Sequence, residues 1–282
     1  MDERKWRWKL EHTQQANLLY EPGNWGDVLK STWALTVTLS LQRVAVGHAA
    51  RPFRLLDPFA GAPTYPLSRA TTARVERIGG ELFALQQRPF VDRDRIASTA
   101  MLVREVCRSQ GIAVELRVFD ADPERRTLWD QLDSVELLVA TSGEEVLADA
   151  ALDGVARGST STDLVVVDPY DFFDRWGEFL PNVLQLAQRT PVLVYLYNKS
   201  PRGPGVLKQY RRLQRQLRER PYPELVGVSI GRLPADPELP RAYHEMLLLA
   251  PVRVHERLAA EVRAATLRLA RSVVEDGLFT EI

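Results

Sequence analysis

Two aspartates each close a short apolar run. Phe53-Arg-Leu-Leu ends at Asp57 and continues as Pro58-Phe59-Ala60-Gly61-Ala62; about 110 residues later Leu164-Val-Val-Val ends at Asp168 and continues as Pro169-Tyr170. Runs of this kind suit parallel strands buried on both faces. In doubly wound α/β sheets, ligands bind outside the carboxyl ends of such strands. Small residues such as Ala60 and Gly61 in the loop from Asp57 let backbone approach a ligand closely, Phe59 is a further candidate ligand contact, and the Asp57 carboxylate can receive a cationic amino group. The second tip offers hydrogen-bond acceptors, the Asp168 carboxylate and the Pro169 carbonyl, beside the aromatic ring of Tyr170. That set suits group transfer to an exocyclic amine on a base. The acceptors orient the NH2 so that its lone pair faces the electrophile, and the ring stacks on the base.

Other residues extend this pattern or compete with it. Asp120 ends the strand Val114 to Phe119 and is placed to accept both hydroxyls of a ribose, with Asp122 as its rival; either could instead cap the helix opened by Pro123. Ser142 and Gly143 follow a third strand, where Ser142 could contact adenine or cap the next helix. Pro63 interrupts any Gly-x-Gly-x-x-Gly pattern, and no Gly-x4-Gly-Lys-Ser/Thr phosphate loop occurs. The four histidines, His12, His48, His244 and His255, have no ligand spacing, which argues against zinc and against a serine-histidine triad. Asp171 and Asp174 read as turn and cap residues. Cys107, the lone cysteine, sits in a helical pattern as a core thiol and leaves no internal disulfide.

These residues need a frame. The turn Glu21-Pro-Gly-Asn-Trp-Gly-Asp opens a helix from Trp25 to about Val46, and Lys30, three residues after Asp27, shares its side of that helix. Helices are expected at Ala70 to Gln87 and Arg95 to Gln110, forming an inserted lobe, with Arg88-Pro-Phe-Val-Asp-Arg-Asp between them. Strands at Val135 to Ala140, Asp163 to Val167, Pro191 to Tyr197, Leu225 to Ile230 and Met246 to Leu249 alternate with helices at Pro123 to Leu132, Glu144 to Ala156, Phe179 to Gln188 and Val206 to Arg220. A last helix spans Val252 to Glu275. The alternation predicts an α/β, Rossmann-like fold with a mostly parallel sheet, and the proline-rich loop Gly231 to Pro240 predicts an antiparallel edge pair. The chain reads as one domain over 1–282, with an N-terminal helical extension to about residue 46 and a helical insertion at about 66–110.

Composition permits this frame without selecting it. The chain has 282 residues, 45% hydrophobic and 26% charged, enough for a full core. No apolar stretch has the length of a membrane span and the start lacks an apolar leader, so the expectation is a cytoplasmic protein without a membrane partner and, by default, a monomer. The 37 basic and 37 acidic residues balance, so binding to nucleic acid must come from a local patch. Such a patch exists: eight basic residues and one acidic lie between Lys199 and Arg220. Lys199 and Arg202 lead into Lys208, Arg211, Arg212, Arg215 and Arg218, which recur at helical spacing as a stripe suited to a phosphate backbone, or to plain solvation. Trp6 and Trp8, among Arg4 to Lys9, add stacking groups.

Taken together, the segments resemble the bacterial 23S ribosomal RNA adenine-N6 methyltransferases, a family that uses S-adenosylmethionine. Gly23-Asn-Trp-Gly-Asp-Val-Leu-Lys30 is similar to the family's Gly-Asn-His-Ala-Asp-Val-Leu-Lys, Leu56-Asp-Pro-Phe-Ala-Gly-Ala to Leu-Asp-Thr-His-Ala-Gly-Ala-Gly, and Val167-Asp-Pro-Tyr to Ile-Asp-Pro-Pro-Tyr. The resemblance implies a class I methyltransferase fold with S-adenosylmethionine as cofactor and ribosomal RNA as substrate. It implies a cofactor site lined by Lys30, Asp57, Gly61, Asp120 and Ser142, and a target-base site at Asp168, Pro169 and Tyr170. The departures are Trp25 for histidine, Pro63 for glycine, and one proline fewer before Tyr170. They keep two other readings open: a catalytically degenerate relative that binds RNA or a protein partner, and a methyltransferase of DNA or a small molecule.

Overall fold

The computed structural model describes residues 22–45, 51–156, 162–169, 172–198, 215, 226–234 and 243–273. The first helix, α1 (Trp25–Ala45), is apolar on nearly every side, and such a helix must be buried all round. Val28, Leu29, Trp33, Ala34, Leu35 and Val37 are all within the core. After it come β1 (Phe53–Asp57), β2 (Thr64–Pro66), α2 (Arg69–Ile78), α3 (Leu82–Val91), β3 (Arg95–Ala97), α4 (Thr99–Ser109), β4 (Val114–Val118), α5 (Pro123–Asp130) and β5 (Val135–Leu137). The chain continues as α6 (Gly143–Ala156), β6 (Leu164–Val167), α7 (Phe172–Ala187), β7 (Val192–Asn198), β8 (Val226–Pro234), β9 (Tyr243–Pro251) and α8 (Val252–Val273).

Seven strands form one sheet in the order β5-β4-β1-β6-β7-β9-β8. The strands β5, β4, β1, β6 and β7 run parallel; β9 is antiparallel to both β7 and β8, so β8 regains the common direction. The antiparallel edge pair therefore exists, with β9 inserted between β7 and β8. Parallel strands covered on both faces read as continuous apolar runs, as in Leu164–Val167, which is buried throughout. One face packs on α1, α4 and α8, the other on α6 and α7, giving two cores separated by the sheet. This is a Rossmann-like α/β arrangement. The chain leaves β1 towards β4 and β5, then returns to β6 and β7, so the topological switch point lies between β1 and β6.

The inserted lobe differs from its expected two long helices. Gly79-Gly80 breaks the first, with Gly79 at φ 28, and α3 then runs through Pro89 to Val91. Residues 95–97 are strand, not helix, because Ser98 caps α4 through a hydrogen bond from the Met101 N–H. This strand, β3, pairs antiparallel with β2. The Gln87 side-chain amide exchanges two 2.9 Å hydrogen bonds with the Ala97 backbone, in the manner of a further strand. In the sheet, β8 and β9 extend beyond their expected limits, to Pro234 and back to Tyr243, and α7 starts earlier, at Phe172. Among the described residues no helix is long and apolar enough to cross a membrane.

Candidate active site

The site grows from the turn before α1. Gly23 sits at φ +80, where a side chain would be strained and would collide with Ile96 and Thr71. Asn24 caps the helix, its Oδ1 accepting from the Gly26 N–H at 2.8 Å and the Asp27 N–H at 3.1 Å. Asp27 folds back to accept from the Gly23 N–H at 2.8 Å. The lobe steadies this turn: the Thr71 hydroxyl donates to the Pro22 carbonyl at 2.8 Å and Arg74 donates to the Gly23 carbonyl at 3.3 Å. One turn along α1, the Lys30 Nζ lies 3.0 Å from Asp27 and makes a short hydrogen-bonded ion pair with Asp168. The helix start thus reaches the tip of β6.

At the tip of β1, Asp57 is 4% exposed and its Oδ1 accepts from the Phe59 N–H at 3.1 Å. Burial raises its carboxyl from the ordinary 3.8 to about 7, against the pull of Lys30 and the Phe59 bond, with Asp168 and Asp120 adding to the rise. Burial likewise raises the Asp168 carboxyl above the usual range, against Lys30. The loop that follows is bonded throughout. The Ala60 N–H donates to the Phe119 carbonyl at 3.0 Å, the Gly61 N–H to Asp120 Oδ2 at 3.0 Å, and the Ala62 N–H to the Tyr65 hydroxyl at 2.8 Å. Gly61 lies at φ +66, and its carbonyl accepts from the Trp129 indole at 2.7 Å.

Asp120 therefore anchors the loop. Its Oδ1 accepts from the Asp122 N–H at 2.8 Å, and Arg125 lies 3.5 Å from its Oδ2. Of the two acids, Asp122 is the helix cap, accepting from the Glu124 N–H at 2.9 Å, which leaves Asp120 at the strand tip. Ser142 also acts as a cap here, accepting from the Glu145 N–H at 3.3 Å, while Glu145 reaches back to the Thr141 N–H at 2.7 Å. The Phe59 ring is partly buried against the α6 and α7 core. It packs on Gly143, where a Cβ would come within 2.3 Å of it, and meets Phe179 edge-on at 5.6 Å. Its side chain is thus a packing element behind the loop. Cys107 is buried as expected, its thiol pushed up to about 12 by burial.

The structure thus brings Lys30, Asp57, Gly61, Asp120 and Asp168 together at one edge of the sheet, with Pro169 buried beside them. Tyr170, Lys199, Arg202, Lys208, Arg211, Arg212 and Arg218 lie outside the described residues, as do Trp6 and Trp8; Arg215 is exposed. Sequence reading missed Tyr65, Trp129 and Arg125, which support the loop, and Tyr195 and His244, which underlie Lys30. Chemically, the site presents the Asp57, Asp120 and Asp168 carboxyls around the Lys30 ammonium at the switch point, a setting for a ligand bearing positive charge. Among the described residues there is no group of three or more His, Cys, Asp or Glu side chains able to hold a metal ion.

A comparison with protein-family models and with curated proteins finds no match. Among solved structures, the chain is similar to protein LPL1258 from Legionella pneumophila str. Philadelphia 1, of family-model DUF519. The identity is 14%, over 89% of this chain and 94% of that one, with a TM-score of 0.57. Two further structures are less similar. An rRNA methylase from Streptococcus thermophilus has 10% identity over 76% of this chain and 94% of its own, with a TM-score of 0.37. The plantazolicin methyltransferase BpumL in complex with SAH has 10% identity over 78% and 85%, with a TM-score of 0.35. What the chain shares with the Legionella protein is its fold, across nearly the whole length of both.

Proposed function

We propose that this protein is an S-adenosylmethionine-dependent methyltransferase acting on the exocyclic amine of adenine in RNA, with ribosomal RNA the first candidate. The observation that carries the reading is the pair of aspartates, buried Asp57 and half-buried Asp168, on neighbouring strand tips at the switch point, with Lys30 reaching Asp168 from α1. The residues fit the cofactor. Its sulfonium and ammonium charges suit the Asp57, Asp120 and Asp168 carboxyls that line the cleft beside Lys30 and Arg125. Asp57 would hold the amino group and Asp120 the ribose hydroxyls, through oxygen lone pairs its backbone bonds leave over. When bound, the cofactor supplies the electrophilic methyl group. Asp168 accepts a hydrogen bond from the substrate amine and fixes its direction of approach; the Pro169 carbonyl is the second acceptor and Tyr170 the stacking surface. Lys30 opposes the upward pull of burial on the Asp168 carboxyl.

The choice of RNA is supported by the three motifs and by the basic run from Lys199 to Arg218. The test is calorimetric titration with S-adenosylhomocysteine, followed by transfer of labelled methyl groups to ribosomal RNA transcripts. Wild-type protein should bind at micromolar concentration, and Asp57→Ala and Asp120→Ala should lose at least about tenfold in affinity. Asp168→Ala should abolish transfer while retaining cofactor affinity within about threefold. A folded wild-type protein that gives no binding heat overturns the reading.

A second reading draws on the loop. The N–H groups of Phe59, Ala60, Gly61 and Ala62 all have acceptors within the chain, an arrangement suited to a fold retained for binding RNA or a protein. RNA affinity without cofactor affinity would favour it.

A further inference from the structure

One pair beside the site, buried His244 and partly buried Tyr195, has no role in the mechanism above. Tyr195 on β7 and His244 on β9 lie on the sheet face covered by α1. In the antiparallel register Tyr195 pairs with Met246 and Tyr197 with His244, so the two side chains are diagonal neighbours on one face. The Tyr195 hydroxyl and His244 Nδ1 are 2.6 Å apart, and the rings stack with centroids at 6.0 Å and planes at 23°. His244 is 6% exposed. The α1 backbone rests directly on the pair: a Cβ on Gly26 would stand 2.2 Å from the Tyr195 hydroxyl and 2.7 Å from His244 Nδ1. The alanine of the motif that this segment resembles would have to displace the pair.

Above the pair sits the ammonium of the site. Lys30 Nζ lies 5.6 Å from the centre of the Tyr195 ring, within reach of its negative face, while it binds Asp27 and Asp168. Burial pushes the His244 imidazole down to about 4, with Lys30 and Arg74 adding to the fall and Asp27 opposing it. At neutral pH the ring is uncharged and does not repel the lysine. A lysine side chain has four rotatable bonds and is costly to hold in one place. A fixed aromatic face beneath it narrows the choice, and the hydroxyl-imidazole bond fixes that face.

We propose that Tyr195 and His244 are positioning residues that hold the Lys30 ammonium between Asp27 and Asp168. Its bearing on catalysis rests on the reading of Asp168 as the residue that orients the substrate amine; the holding of Lys30 does not. The test is competitive labelling of amines with acetic anhydride in the full-length, ligand-free protein, read peptide by peptide by mass spectrometry, with circular dichroism as the control for folding. Tyr195→Leu and His244→Leu should raise the labelling rate of Lys30 about fivefold, the factor expected for loss of a cation–π contact, with Lys208 unchanged. His244→Asn, which restores a polar group near the Nδ1 position, should return Lys30 to within about twofold of wild type. Unchanged Lys30 labelling in folded Tyr195→Leu overturns the proposal. If that variant does not fold, Tyr195→Phe decides: it keeps the ring and loses only the bond to His244, and absence of any rise in Lys30 labelling overturns the proposal. Failure of the functional reading is separate, since it shows as no binding of S-adenosylhomocysteine by wild-type protein whatever the labelling reports.

Discussion

Asp57 and His244 are both buried and both shifted towards their uncharged forms, with opposite consequences for stability. Folded Asp57 keeps its proton to about pH 7, whereas the unfolded chain releases it near 3.8. Between those values the folded state binds more protons, so the contribution of Asp57 to stability is full at low pH and is lost as pH rises to 7. Folded His244 takes up its proton only near 4, against 6.5 when unfolded, so its contribution is full above 6.5 and is lost as pH falls towards 4. The two slopes oppose each other across nearly the same window. Asp57→Asn should leave a stability that rises with pH between 4.5 and 6.5, and His244→Gln one that falls between 4.5 and 7, each by up to about 3 kcal/mol. Urea unfolding at three pH values measures both, and variants that keep the wild-type profile would refute the burial argument. Of this pair, Asp57 was legible in the sequence as a strand-end acid. His244 was not, because its meaning depends on a register between β7 and β9 that local patterning does not reveal.

The elements show where local signals suffice. Pro22-Gly-Asn-Trp announces the start of α1, and the helix begins at Trp25 as the cap chemistry requires. Asn24→Ala should cost about 1 kcal/mol of stability through the lost cap. Gly26→Ala should cost more, about 1–3 kcal/mol, because the added methyl group must displace the Tyr195–His244 pair; thermal unfolding of the two variants side by side checks the order. The lobe was only half legible. Gly79-Gly80 and Ser98 carried the break and the cap that divide it, but β2 and β3, of three residues each, are too short for any period to stand out. The Ala97 backbone of β3 is bonded by Gln87, a residue whose type in a helical run gives no hint of serving a strand.

For the whole molecule, the alternation of strands and helices made the parallel sheet readable, and the proline-rich loop made the antiparallel pair readable; the insertion of β9 between β7 and β8 was not. Charge behaves similarly, since a net balance of zero hides both the acid-lined cleft and the basic run. If that run grips RNA, replacing Arg211, Arg212, Arg215 and Arg218 together with Gln should weaken binding by about tenfold or more at low salt. It should also flatten the dependence of log affinity on log salt by about 3, with S-adenosylhomocysteine binding unaltered. An unchanged salt slope would assign the stripe to solvation. The closed bonding of the 59–62 loop also governs how occupancy of this cleft can be observed. Its amides already have partners within the chain, so they should resist deuterium uptake before anything binds. A ligand's exchange footprint should accordingly fall on neighbouring segments, with the loop silent in both states.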